Sequence, residues 1–162
     1  MLLAISGIFF IPAKEASAAR PSISADNKAF DILTGSYVLT GNVRVEIGQR
    51  IITADKATVN LLSMVVTGEG NINLFSAEDD ITFSGDRVTV VGPDKTASVT
   101  GHASFKQGET SITADDASYN WQTKLAVFSQ NVCLTINGNR TNHESLTYHV
   151  INRTVEEASP AL

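Results

Sequence analysis

One cysteine, Cys133, supplies all the thiol chemistry in 162 residues. A lone thiol can neither close an internal disulfide nor build a zinc site. In the stretch Val132–Ile136 it alternates with valine, leucine and isoleucine, which puts it on the opposite face of a strand. No activating base stands near it, so it reads as an unpaired structural thiol rather than a nucleophile. Basic runs are missing too. Twelve Lys+Arg against 17 Asp+Glu leave a net charge of −5, without the concentrated positive face that a nucleic-acid partner requires. The sequence has no G-x-S-x-G, no P-loop and no G-x-G-x-x-G, and Glu78-Asp79-Asp80 lies in a polar stretch that lacks the EF-hand pattern. No catalytic residue and no cofactor are expected.

Long hydrophobic runs are also absent. The longest, Leu2 to Ile11, is broken by Ser6 and Gly7 and ends at Pro12, about half of the roughly 20 residues that a spanning helix needs. Ala16-Ser17-Ala18 follows as a small-residue cleavage site, although no lysine or arginine precedes the apolar run. Residues 1–18 are therefore expected to be a cleaved export signal, and 19–162 a single domain. Loss of Lys14 and Glu15 together would keep the charge at −5.

What the chain does have is a repeat. Residues 40–60, TGNVRVEIGQRIITADKATVN, align without gaps on 100–120, TGHASFKQGETSITADDASYN, with identities at Gly41/Gly101, Gly48/Gly108, Ile52/Ile112, Asp55/Asp115 and Asn60/Asn120, among others. The underlying period is half as long: acidic residues recur at Asp26, Asp55, Asp86, Asp115 and Glu144. A turn marker precedes a strand in each unit, as LTGNV, TGEGNI, VTGHA and FSQNV, the last with Gln130-Asn131 in place of the glycine.

Within each unit the hydrophobic period is two, which means strands. Parity changes across the acidic residue, from Ile52/Ala54 to Ala57/Val59, from Phe83/Gly85 to Val88/Val90, and from Ile112/Ala114 to Ala117/Tyr119. A side-chain period of two cannot change parity without an extra residue or a bend. The five acids are thus expected to be structural corners whose carboxylates cap backbone N–H groups. One per repeat, they form a ladder rather than the converging pair an acid–base site needs. His102 stands where the paired repeat has Asn42, and Trp121 reads as packing or turn decoration. His143, Glu144 and His149 lack the helical H-E-x-x-H spacing and further ligands, so no metal site is expected. Two N-x-T sequons, at Asn139 and Asn152, matter only in a glycosylating pathway.

Units of about 30 residues are too short for propeller blades, and periodicity leaves a β-solenoid and an antiparallel jelly roll both open. The recurring pattern of LTGNV, a strand, then I-x-A-D-x-A, over about residues 23–157, resembles the OstA-like (LptA) family of lipopolysaccharide-transport proteins. That resemblance implies an all-β, twisted and incompletely closed antiparallel β-jelly roll. It implies a non-catalytic periplasmic bridge carrying lipopolysaccharide, bound by its lipid A acyl chains, from inner to outer membrane. Partners would be the inner- and outer-membrane transport components and further copies stacked head to tail through terminal strands. Alternation nominates Val43, Val45, Ile47, Ile52, Ile72, Leu74, Phe83, Val99, Phe105, Ile112, Val127, Leu134 and Ile136 as inward residues lining a lipid groove. Two other readings compete: a membrane-anchored, LptC-type inner-membrane component whose Leu2–Ile11 segment is retained, and a β-repeat scaffold that polymerises without lipid.

Overall fold

The computed structural model describes residues 21–157; the expected signal segment and its cleavage site lie outside them. The described residues form strands joined by tight turns, with no helix. The strands are β1 (Ser22–Ser24), β2 (Asn27–Asp31), β3 (Ser36–Ile47), β4 (Arg50–Asn60), β5 (Val65–Ser76), β6 (Ile81–Val91), β7 (Thr96–Gln107), β8 (Thr110–Asn120), β9 (Leu125–Ile136), β10 (Asn139–His149) and β11 (Thr154–Glu157). They pair in chain order as one open antiparallel sheet, with β1 and β2 both on β3. This is an all-β fold of the incompletely closed, jelly-roll kind.

Each long strand bends once. The β3–β4 register jumps between Thr40↔Lys56 and Val43↔Ala54, leaving Gly41-Asn42 unpaired on one strand and Asp55 alone on the other. Comparable shifts interrupt the other long pairs. A single extra residue flips the face that each later side chain occupies. So β4 buries Ile52 and Ala54 before its corner and Ala57 and Val59 after it. Two extra residues restore parity, so β9 buries Ala126 and Phe128 before its corner and Val132 and Leu134 after it.

The corners align across the sheet and fold it into two facing layers. Phe83, before the corner of β6, therefore reaches Tyr119, beyond the corner of β8, with ring centroids 5.8 Å apart. A single apolar core fills the space between layers from Leu39 to Tyr148. The hairpin turns lie at the far ends of both layers, opposite the corners. Those of the second layer are closed by side chains: Asn60 Oδ1 accepts from the N–H groups of Leu62 and Ser63, and Asn120 Oδ1 from those of Gln122 and Thr123. In the first layer, Asn137-Gly138 has φ of 50° and 83°, the double left-handed geometry of a two-residue hairpin.

Candidate functional site: the interlayer groove and its seam

Three features define the interior: the corner line, the apolar lining, and the seam where the two rows of turns face each other. At the corners the carboxylates do something other than the expected backbone capping. Asp26, Asp55 and Asp115 accept hydrogen bonds from the side-chain amides of Asn42, Asn71 and Asn131 at 2.9, 2.8 and 2.7 Å. Asp86 meets His102 Nδ1 at 2.8 Å. The backbone bond found at a corner runs the other way in chemistry, with the Asp26 N–H donating to the Gly41 carbonyl. Each acid thus clasps the residue sixteen positions on, which holds positive φ (46° to 54°) on the neighbouring strand. Glu144 occupies the corresponding register shift in β10.

Two predictions arise here. Gly70 has φ +76°, and a Cβ there would press on the Asp55 carboxylate. Gly70→Ala should cost about 1–3 kcal/mol from backbone strain and the displaced acid. Gly48→Ala, with positive φ but open space around it, should cost less, and thermal melts of the two variants give the comparison. The second concerns His102, whose pKa lies above the ordinary 6.5 because it bonds to Asp86 and feels that carboxylate's charge. The pair's contribution is complete below the ordinary imidazole value and is lost as pH rises through the raised one. An NMR titration should find His102 above 6.5, and Asp86→Asn should bring it back.

The lining comes from both layers. Val43, Val45, Ile52, Ile72, Leu74, Phe83, Val99, Phe105, Ile112 and Leu134 are buried and face inward, and Ile47 and Ile136 pack half-buried against the same core. Val127 does not: it is 43% exposed and points outward between Ser118 and Thr147. The inward expectation for it fails because the two-residue corner at Gln130-Asn131 keeps parity constant along β9. Ala126 and Phe128 hold the inward places that parity denies Val127. Cys133 is a buried free thiol on the face opposite Leu134, covered by Arg140. His143 meets Thr141 and His149 meets Glu156, and the described residues contain no group of three metal-ligating side chains.

The seam carries the most polar chemistry, and sequence reading missed it. Asp79, in the β5–β6 turn of the first layer, is buried. Its carboxylate accepts from Tyr119 Oη at 2.5 Å, Lys124 Nζ at 2.7 Å and Ser76 Oγ at 3.2 Å. Its backbone carbonyl accepts from Gln107 Nε2, whose amide oxygen accepts in turn from Tyr148 Oη. Glu78 pairs with Lys124 at 3.0 Å and Arg50 at 3.4 Å, and Arg50 lies 4.5 Å over the Trp121 ring. Tyr119, Trp121, Lys124 and Tyr148 belong to the second layer, so their contacts with Asp79, Glu78, Arg50 and Gln107 cross the seam, while the Ser76, Gln107 and Arg50 bonds to Asp79 and Glu78 stay within the first layer.

Burial alone would raise the Asp79 pKa, but the Lys124 and Tyr119 hydrogen bonds and the ammonium charge outweigh it and hold the carboxyl below its ordinary value. Burial, then the Asp79 carboxylate, push Tyr119 well above the usual phenol range. Towards the N-terminal side of this cluster the layers separate slightly. An apolar cavity of about 50 Å³ lies there, lined by Ile47, Ile52, Val59, Val66, Leu74 and Val90, with Arg50 and Trp121 at its lip.

The sequence model of a family described as LptA/(LptD N-terminal domain) LPS transport protein matches residues 22–154. Among solved structures, the chain is similar to LptH of Pseudomonas aeruginosa, described as the LptA-homologous periplasmic component of the lipopolysaccharide transport device. The identity is 18% over 85% of this chain and 81% of that one, with a TM-score of 0.36. No curated protein matches the sequence.

Proposed function

Given that this chain belongs to the LptA/LptD N-terminal-domain family of lipopolysaccharide transport proteins, we propose that it is a non-catalytic periplasmic bridge that carries lipopolysaccharide between its two layers. The observation that carries this reading is the continuous apolar interior. It runs across the sheet from Leu39 to Tyr148, while the outer faces of the same strands present Arg44, Thr53, Asn73 and Thr113. Several acyl chains cannot cross water unaided, since each exposed CH₂ costs about 0.8 kcal/mol. An open two-layer sheet offers those chains apolar surface along its length and keeps its outside wet.

The ends fit a bridge. At one end β1 and β2 leave the outer edge of the sheet unpaired among the described residues, and the apolar Ile32, Leu33 and Leu62 project from the adjoining turns. At the other, β11 pairs with Leu146–His149 of β10, and the rest of that edge is unpaired among the described residues. Exposed strand edges are docking templates, so further copies or the inner- and outer-membrane components add strands there.

A photo-crosslinking amino acid at Phe83 or Phe105 should capture lipopolysaccharide, and one at the outward Arg44 should not. Capture from Arg44 alone would overturn the reading.

A further inference from the structure

The interior that a lipid carrier needs is shut in this structure. The apolar cavity beside the seam holds about 50 Å³, against the roughly 150 Å³ of a cavity that takes up benzene. On the C-terminal side Phe83, Phe105, Phe128, Tyr119 and Tyr148 occupy the interlayer space in mutual contact, with centroid separations of 5.0 to 6.3 Å. Acyl chains can enter only if the layers part, and the corner clasps hold the opposite side together. The parting therefore falls on the seam.

We infer that the Asp79 cluster is a latch across that seam, and that its release admits lipid laterally to the groove. The ligand in this inference rests on the carrier reading above; the latch itself does not. Three observations carry it. Three bonds join residues 40, 41 and 45 positions apart, from opposite layers, at one place on the rim, and Gln107, held to the Asp79 carbonyl within the first layer, ties them together. Their chemistry suits separation. Asp79, Glu78, Lys124 and Arg50 regain hydration when they part, which offsets the broken bonds, whereas an apolar seam would gain nothing from water. A buried ion pair is a poor device for stability alone, since apolar residues of similar volume hold a seam at least as well. Finally, Tyr119 and Tyr148 belong to both latch and core. Release of their hydroxyl groups frees the two rings that flank Phe83 and Phe105.

The test is to lock and to unlatch the full chain. Carbodiimide coupling joins Lys124 Nζ to Glu78 or Asp79, which lie 3.0 and 2.7 Å away. The amide forms as the reagent takes up the water lost, and peptide mass mapping verifies the link. Lys124→Arg keeps the charge and cannot form the amide, so it serves as the treated control. Tyr119→Phe removes one latch bond and keeps the ring, with Asp79→Asn as the second unlatched variant; circular dichroism checks that each is folded.

The first readout is the uptake rate of the apolar dye N-phenyl-1-naphthylamine, and the second is capture of purified lipopolysaccharide. Dye uptake should be about tenfold slower in the locked protein and about tenfold faster in Tyr119→Phe, the weight of one hydrogen bond to a charged group. Uptake by the locked protein at the rate of the treated control would overturn the latch, as would unlatched variants no faster than the parent. Equal lipopolysaccharide capture by locked and unlocked protein removes the gate and leaves the carrier reading. Gated dye with no lipopolysaccharide bound by any form removes the carrier reading and leaves the gate.

Discussion

Asp79→Ala is expected to lower the stability of the folded chain by about 3–5 kcal/mol, because it breaks a buried charge pair from one side only. The substitution leaves the Lys124 ammonium, 19% exposed, with Glu78 as its remaining counter-charge. It also leaves the Tyr119 hydroxyl without the carboxylate it bonds to. For a domain of this size the midpoint of thermal unfolding should fall on the order of 10 °C. The pH dependence follows from the directions of the two shifts. Asp79 has a folded pKa below its ordinary 3.8, so its contribution is present above that value and is lost as pH falls through the folded one. Lys124 has a folded pKa above 10.5, because its bonds to Asp79 and Glu78 outweigh the opposing effect of burial. Its contribution is complete below 10.5 and is lost as pH rises through the raised value. The latch is therefore intact across the neutral range and weakens in acid. Denaturant unfolding at pH 7 and at pH 3 checks both parts: the gap between parent and Asp79→Asn should narrow at pH 3. A loss below about 1 kcal/mol for Asp79→Ala at pH 7, the level of an exposed ion pair, would contradict the burial argument.

That prediction rests on residues whose partnership the sequence conceals. Glu78-Asp79-Asp80 has the composition of a solvated turn, and nothing local distinguishes the buried Asp79 from its neighbours. Its partners become neighbours only when two layers fold together about the corner line. The corners themselves are legible, because a period of two cannot pass from Ile52/Ala54 to Ala57/Val59 without an inserted residue. Val127 marks the limit of the same rule. Whether a corner inserts one residue or two decides the parity beyond it, and Gln130-Asn131 lacks the glycine that shows the two-residue form elsewhere. The clasp partner of each acid left a trace that parity does not reveal: Asp26/Asn42, Asp55/Asn71, Asp86/His102 and Asp115/Asn131 share one offset. The His102 substitution keeps a ring nitrogen where the amide nitrogen stands in the other units. That detail makes sense only once the acceptor is known.

Phe105→Ala separates an interior that is merely a core from one that holds lipid. Phe105 is fully buried, with its ring 5.0 Å from Phe83, 5.5 Å from Phe128 and 5.2 Å from Tyr148. Truncating a phenylalanine in such a position costs about 3–5 kcal/mol, through lost transfer energy and the cavity left between layers held apart by their backbones. That loss is expected whatever the protein carries. The second half of the experiment adds purified lipopolysaccharide. A ligand that binds the folded state alone stabilises it by about 2.7 kcal/mol at a hundredfold excess over its dissociation constant. If acyl chains enter between the layers, the Phe105→Ala cavity is new space on their path. The variant should then recover more of its melting temperature on adding lipopolysaccharide than the parent gains. If the layers enclose only a core, the cavity stays empty, and the melting temperatures of parent and variant are both indifferent to the lipid. An equal upward shift in both would place the lipid elsewhere on the sheet, away from the aromatic cluster.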